Sequence, residues 1–467
     1  MLPVRLDPAI SALPRERIPS IANAARYWLD VGGFIDRLER MGDRFVVTMP
    51  GSGAWVCLTD PRDIEVLFRS DAEAAYFGEA LRMLSPHELV LGPANLTSLD
   101  GAEHLAKRRL LLPAFHGESL KRYEATIEEK AREAAARWPV GPPSQSMPET
   151  ARVTLEIIMA AIFGVTEQAR LDRLRDAVMA LTDEIGSRRF LLQTAIATAR
   201  NGGFSRPFPR IEARKAAVDA IVLEEIAERR AGLHDDHRDV LASLLAVRDE
   251  GGQGLGDAEI CDQMRLMLLG GHDTTASTIS WILDLVTHNP FALRELEDTV
   301  RAGSDEYLTA VVQETLRMRP VFPFTVRLAK QPLEFDGLTI PPGTLVVPVI
   351  ALVHRRHDIY PDPLAFKPER FLGSRPGSYS WIPFGGGMRR CIGAAMAQLE
   401  ATIIVRALVQ ELDLRPAHPR SERLGRHSVL TVPAEGGMTI ATRRTPSAPA
   451  ELAYPEVKAA RRERGAA

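Results

Sequence analysis

Cysteine is scarce in this chain: Cys57, Cys261 and Cys391 are the only three among 467 residues. An odd, sparse set builds no disulfide framework and points to a reducing cytoplasm. Charge of one sign is not in excess either. Lys and Arg number 58 against 61 Asp and Glu, a formal charge of −3. That balance supplies no field for holding nucleic acid or an acidic membrane surface. No apolar run reaches the ~18 residues of a spanning helix, and the nearest candidate, TLVVPVIALV, is too short. Charges and four prolines interrupt the N-terminal MLPVRLDPAISALPRERIPS, which holds neither a secretory core nor a membrane anchor. Internal repeats and long linkers are absent as well.

What is there is ordinary for a globular protein: 45% apolar and 25% charged residues. Length alone suggests roughly two to three domains, although single folds of this size exist. Helical periodicity dominates. ARYWLDVGGFIDRLERM, SLKRYEATIEEKAREAAARW, TARVTLEIIMAAIF and RKAAVDAIVLEEIAERRAGL place apolar residues three and four apart. The β signal is confined to patches. RFVVTM and AWVCLTD flank PGSG as a hairpin, and PLEFDGLTI, followed by PPGTLVVPV, carries the DG turn of another. HSVLTVPAEGGMTIATR reads as a third, bent at its GG. The expected fold is mainly α with a small β-rich portion. That portion is drawn mostly from 44–68, 321–350 and 427–442 of a single domain over 1–442. The Pro/Ala-rich, then basic tail over 443–467 is expected to be frayed.

Cys391 stands in FGGGMRRCIGAAMAQLE, after three glycines and two arginines and before a helical run. A thiolate is stabilised by nearby cations and by a helix N-terminus. The glycines Gly385, Gly386, Gly387 and Gly393 let the backbone turn tightly and approach something large. A small buried hydrophobe is an equally good reading of a lone cysteine. Zinc would need a second ligand at suitable spacing. A nucleophile would need a paired histidine, which sequence does not place. A single thiolate on haem iron needs neither.

GDAEICDQMRLMLLGGHDTTASTISWILDLVTHNP reads as one long buried helix whose middle breaks the apolar pattern. Gly270 and Gly271 each cost about 1 kcal/mol relative to alanine there. His272, Asp273, Thr274 and Thr275 add polar groups where a core helix wants none. Local widening of the helix, with a groove for a small ligand, would account for the set. The plainer alternative is a kink satisfied by Thr hydroxyls on i−4 carbonyls.

Phe384 to Gly393 resembles the haem-binding loop of the cytochrome P-450 family, F-G-x-G-x-R-x-C-x-G, at every fixed position. The resemblance implies a triangular, prism-like helical domain with small β sheets, and Cys391 as proximal ligand of the iron of haem b. It further implies Arg389 against a haem propionate, and Phe384 and Gly385 beside the sulfur. Gly270 to Thr275 is similar to the family's [AG]-G-x-[DE]-T-[TS]. Asp273 would then be the proton relay of dioxygen activation, and Thr274 would hold the oxygen and its water. Gly270 and Gly271 would make room at the cofactor. DEYLTAVVQETLRMRP carries the E-x-x-R pair Glu314 and Arg317, which alone reads as a surface salt bridge. Phe366 to Phe371 resembles F-x-P-E-R-F, whose arginine, Arg370, would complete a buried structural triad. His104 and Arg108 match H-x-x-x-R, and Arg327 matches a strand arginine at the haem edge. Without the resemblance these would be a solvated basic face and an edge-strand arginine. HRRHDIYPDP departs from the family pattern at His357, where proline is common. His354 and His357 could suggest a metal pair, but no third ligand accompanies them.

The resemblance covers Arg26 to Thr442. It implies a monooxygenase inserting one atom of O2 into a C–H or C=C bond of a hydrophobic substrate, such as a fatty acid, terpenoid or steroid. GGQGLGD lacks the spacing and the preceding strand of a dinucleotide loop. Electrons are therefore expected from a separate ferredoxin and NAD(P)H-linked ferredoxin reductase. The protein is expected to be a cytoplasmic monomer. Phe322 and Phe324 are candidate pocket residues, and Arg188 and Arg189 could pair with a substrate carboxylate. Two other classes stay open: a haem-thiolate peroxygenase or isomerase, and a non-catalytic haem-based gas sensor.

Overall fold

The computed structural model describes residues 7–164, 167–201, 208–232, 239–248 and 252–444. The expected frayed tail lies, from residue 445, outside the described residues. At the N-terminal end α1 (Ser20–Leu29) and α2 (Val31–Leu38) lead into β1 (Arg44–Met49) and β2 (Gly53–Leu58). There follow α3 (Pro61–Arg69), β3 (Ala75–Tyr76), α4 (Phe77–Leu84), α5 (His87–Leu91) and α6 (Gly101–Leu111). The helical block comprises α7 (Glu118–Arg137), β4 (Ser144–Gln145), α8 (Met147–Phe163), α9 (Gln168–Gly186), α10 (Arg188–Asn201), α11 (Pro209–Arg230), α12 (Val240–Ala246) and α13 (Asp257–Thr287). After it come α14 (Pro290–Arg301), α15 (Glu306–Met318), β5 (Arg327–Ala329), β6 (Leu333–Phe335), β7 (Leu338–Ile340), β8 (Leu345–Pro348) and α16 (Ile350–Val353). The chain closes with α17 (Ala394–Glu411), β9 (Leu412–Pro416), β10 (Leu424–His427), β11 (Leu430–Pro433) and β12 (Met438–Arg443).

The 31-residue α13 runs through the largest core, packed by α8, α11, α15 and α17. Its apolar side chains point in every direction, so it has no solvent face. Two further cores flank the five-stranded sheet, ordered β1-β2-β8-β5-β3. The fold is thus mainly helical with small sheets, as expected.

Three local expectations need correcting. ARYWLDVGGFIDRLERM is two helices, because Asp30 leaves helical geometry and its carboxylate takes the Gly33 N–H at 3.0 Å as a new N-cap. Residues 61–68 of the expected β-rich portion belong to helix α3, started by Asp60 and Pro61. The two strands of HSVLTVPAEGGMTIATR do not pair with each other. β11 pairs with β10, and β12 with β9 and β4. Gly436 and Gly437, at φ 84° and 73°, carry the chain from one sheet to the other. The hairpins β1–β2 and β6–β7 form as read, the latter turning on Gly337 at φ 70°.

Candidate functional site

The loop before α17 is shaped by its glycines. Gly385 and Gly387 take left-handed φ values of 66° and 63°, which L-residues avoid at a cost of roughly 1–2 kcal/mol. Gly386 lies flat against the Phe68 ring, and Gly387 against the Phe68 carbonyl and Asp71; a Cβ on either would collide. The loop is closed by Gly385 N–H to the Ile382 carbonyl and Cys391 N–H to the Phe384 carbonyl, both 2.9 Å. Cys391 is exposed in accessible area. Burial nonetheless raises its thiol pKa, against the Gly393 backbone N–H and the charges of Arg108 and Arg390. Surface that is accessible and yet surrounded by protein describes a sulfur facing an enclosed chamber.

Cations gather at that chamber. His104 and Arg108 stand one turn apart on α6, Arg327 on β5, and Arg389 on the glycine loop. Burial, then the charges of Arg389, Arg108 and Arg327, pushes His104 down to about 3. Imidazole and three guanidinium groups therefore share one neighbourhood. Arg327 is buried and bonds Asp71 and the Val326 carbonyl, the latter at 2.9 Å. Arg389 bonds Asp100 and the Leu99 carbonyl, and burial lowers it to about 10. Arg389 Nε and His104 Nδ1 are buried without a partner. The Arg108 side chain makes no hydrogen bond or ion pair among the described residues, and Cys391 lies within its electrostatic reach.

The middle of α13 carries the other group of candidate residues. Around it the helix is buried, but Leu266, Leu269, Gly270, Asp273 and Thr274 keep accessible surface, as does Gly271 beside them. Their spacing of three and four residues makes one stripe, apolar at one end and polar at the other. A Cβ on Gly270 would meet open space. Gly271 is different: a Cβ there would stand 2.8 Å from Ile158 Cδ1, so its smallness lets α8 approach and does not open the chamber. The expected widening is also corrected. α13 runs as an α-helix from Asp257 to Thr287 without interruption, and its Thr hydroxyls bond i−4 carbonyls. Thr274 donates to Gly270 at 2.8 Å and Thr275 to Gly271 at 3.1 Å. That intrahelical bonding satisfies the hydroxyls without unwinding the backbone.

A buried frame carries the cysteine loop. Glu314 and Arg317 on α15 are inaccessible to solvent, and Arg317 binds Glu314 twice, at 2.6 and 2.7 Å. Arg370 joins Glu314 at 3.2 Å. Arg317 also holds the His354 and Pro363 carbonyls, each at 2.8 Å. The surface-salt-bridge reading is therefore excluded. His354 is fully buried: Nδ1 bonds the Arg317 carbonyl at 3.0 Å, and Nε2 accepts the Ile382 N–H at 2.9 Å. It is a neutral strut on Ile382, two residues before Phe384, and cannot pair with the exposed His357 over a metal. Trp381 reinforces the frame, donating to the Gln313 carbonyl at 3.2 Å and stacking edge-on between Phe371 and Phe384.

The structure does not bring every candidate to this place. Phe324 packs against Tyr27 and Trp55 in the sheet-side core, and Phe322 is exposed on its loop. Arg188 and Arg189 are exposed at the start of α10. Trp381, the strut His354 and Glu400 escape the sequence reading. Glu400 is buried on α17 within hydrogen-bond reach of Thr275, and burial raises its carboxyl well above the usual range. Its place nine residues after Cys391 on the following helix was the available signal.

Comparison with known proteins agrees with this architecture. The family model described as Cytochrome P450 matches residues 15–440. The Mycobacterium tuberculosis H37Rv protein named "Putative cytochrome P450 137" is 34% identical over 430 residues, covering 91% of this chain and 89% of its own. Among solved structures, "Retinoic acid bound cyanobacterial CYP120A1" aligns with TM-score 0.76 at 22% identity, over 92% of this chain and 99% of that one. A cytochrome P450DA mutant heme domain aligns with TM-score 0.77 at 21% identity, over 93% and 98%.

Proposed function

Because the chain belongs to the cytochrome P450 family, we propose that Cys391 would hold its haem through a thiolate and that Asp273 and Thr274 govern proton entry at the opposite wall. Membership makes the protein a haem-thiolate oxidoreductase of the monooxygenase type with protoporphyrin IX as cofactor. The residues present fit that group. It is flat and apolar, with two carboxylates, and the chamber offers an accessible thiol, an uncrowded Gly270 and a cluster of one imidazole and three guanidinium groups. The unpartnered Arg389 Nε and Arg108 side chain are donors suited to the carboxylates, and the imidazole of His104 stands beside them. When bound, haem supplies dioxygen activation, and electron donation from an axial thiolate favours O–O cleavage.

The chain's own residues do the rest. Arg108, Arg390 and the Gly393 N–H stabilise the sulfur anion against burial. The Thr274 hydroxyl hydrogen is committed to the Gly270 carbonyl, so its lone pairs face the chamber as acceptors and can hold a water there. Asp273 borders the same stripe and can move a proton to that water. Leu266 and Leu269 give the stripe an apolar front, which supports a hydrophobic substrate of the fatty acid, terpenoid or steroid class. Single electrons come from a separate ferredoxin and its NAD(P)H-linked reductase, and we place the protein in the cytoplasm as a monomer.

The observation that carries this reading is the accessible thiol of Cys391 within the electrostatic reach of Arg108. The test begins with a spectral-shift screen of apolar ligands on the purified holoprotein. The best ligand is then turned over with added ferredoxin, reductase and NADPH. Thr274→Ala is expected to keep its haem and release more peroxide per NADPH. Unaltered coupling would remove Thr274 from the relay, and full turnover on hydrogen peroxide alone would favour a peroxygenase.

A further inference from the structure

His272 fills the variable position of the Gly270–Thr275 stretch, and the relay read for Asp273 and Thr274 gives it no task. Its side chain is completely buried. Nδ1 lies 2.6 Å from the Leu268 carbonyl oxygen. A carbonyl only accepts, so Nδ1 carries a proton. Nε2 lies 3.0 Å from Asp273 Oδ1. The two are off the line of a hydrogen bond, and Nε2 has no other partner. Successive helix residues do not ordinarily face each other; here the Asp273 carboxylate turns back toward the ring. With Nδ1 protonated, a neutral ring would leave the carboxylate oxygen 3.0 Å from a buried nitrogen with no charge to compensate it. A second ring proton removes that conflict.

We propose that His272 and Asp273 form a proton-storing pair, an imidazolium and a carboxylate, whose extra proton on Nε2 is the one Asp273 passes into the chamber. This rests on reading Asp273 and Thr274 as the relay. His272 is a positioning residue, acting through Asp273. In the step the Nε2–H bond breaks and an Oδ1–H bond forms, leaving a neutral imidazole anchored by Nδ1–H on Leu268. The carboxyl then protonates a chamber water and returns to carboxylate, and between turnovers the ring regains its proton by the reverse route, from water through the partly accessible Asp273 carboxyl. No electrons change hands.

The surroundings agree. Burial disfavours the charged ring, but the Asp273 charge overrides it and holds His272 above the usual histidine range. Burial likewise pushes Asp273 up, and the His272 charge overrides it, holding the carboxyl below its usual range. Among the described residues, helix α8 brings the Thr154 hydroxyl, 3.1 Å from the His272 carbonyl, and the Ile158 side chain at Gly271. Strand β10 brings His427, whose charge also favours the Asp273 carboxylate. Helix α17 brings Glu400, directed at Thr275.

The test is histidine-selective 15N spectroscopy of the diamagnetic reduced carbon monoxide complex, with His272 assigned by its loss in His272→Leu. Nε2 is expected to be protonated at neutral pH, and in Asp273→Asn its midpoint should fall by about one pH unit or more. A bare Nε2 in the native protein, or a midpoint indifferent to Asp273→Asn, would overturn the pair. Peroxide release, measured with the ligand chosen by the spectral screen, separates the two readings. If Asp273→Asn and Thr274→Ala leave coupling unchanged, the relay itself fails. If both uncouple while Nε2 is bare, only the stored proton fails. His272→Leu should uncouple, and His272→Gln, which donates a hydrogen bond but stores no proton, should not restore coupling; full restoration would overturn the proposal.

Discussion

Glu314→Ala removes the centre of the frame that carries the cysteine loop. Glu314 has no access to solvent. Its Oε2 takes Arg317 Nε at 2.6 Å. Its Oε1 takes Arg317 Nη2 at 2.7 Å, the Lys367 N–H at 2.9 Å and Arg370 Nε at 3.2 Å. Alanine strands a fully buried guanidinium, which costs about 3–5 kcal/mol when one partner of such a pair is lost. It also leaves the Lys367 amide unmet, worth about 1–3 kcal/mol more. The expected loss is therefore roughly 4–8 kcal/mol, out of about 5–15 kcal/mol for a typical folded domain. Urea unfolding followed by haem absorbance and far-ultraviolet circular dichroism, with haem counted per chain, measures it. The double variant Glu314→Leu with Arg317→Met should recover part of the loss. Recovery stays incomplete because the His354 and Pro363 carbonyls lose the guanidinium that holds them. A loss below about 1 kcal/mol with full haem content, the behaviour of an exposed pair, would refute the reasoning.

Gly270→Ala should stabilise α13 by about 1 kcal/mol while weakening ligand binding in the spectral screen. Gly271→Ala should destabilise by about 1–3 kcal/mol through overpacking on Ile158; the reverse order in thermal unfolding would contradict the assignment of the two glycines. His354→Leu should cost about 1–3 kcal/mol for the stranded Ile382 amide and lower haem retention. Burial, then the Arg317 charge, depresses His354 to about 3 from 6.5. Its contribution to stability is thus full above pH 6.5 and is lost as pH falls from there toward about 3. The slope is about 1.4 kcal/mol per pH unit in that window. A His354→Leu variant with an unchanged acid slope would show that another group governs it.

Much of this was legible because the chemistry sits in short contiguous stretches. The loop around Cys391 and the polar interruption of α13 announce themselves through residues a plain core would not use. Periodicity likewise marked α7, α8, α11 and α15. What was not legible depends on contacts remote in sequence. Gly270 and Gly271 look alike until Ile158 of α8 arrives against one of them. His354 could be weighed with His357 as a metal pair until the Arg317 carbonyl and the Ile382 amide enclose it. The GG bend could not declare that its flanking strands join different sheets. Phe322 and Phe324 differ only in what packs on them.

The spectrum of the reduced carbon monoxide complex tests the central claim most directly. Native protein, Cys57→Ala and Cys261→Ala should all show the thiolate-type band, and Cys391→Ser should lose it while staying folded. A thiolate-type band persisting in Cys391→Ser, or an imidazole-type band in the native protein, would contradict the account.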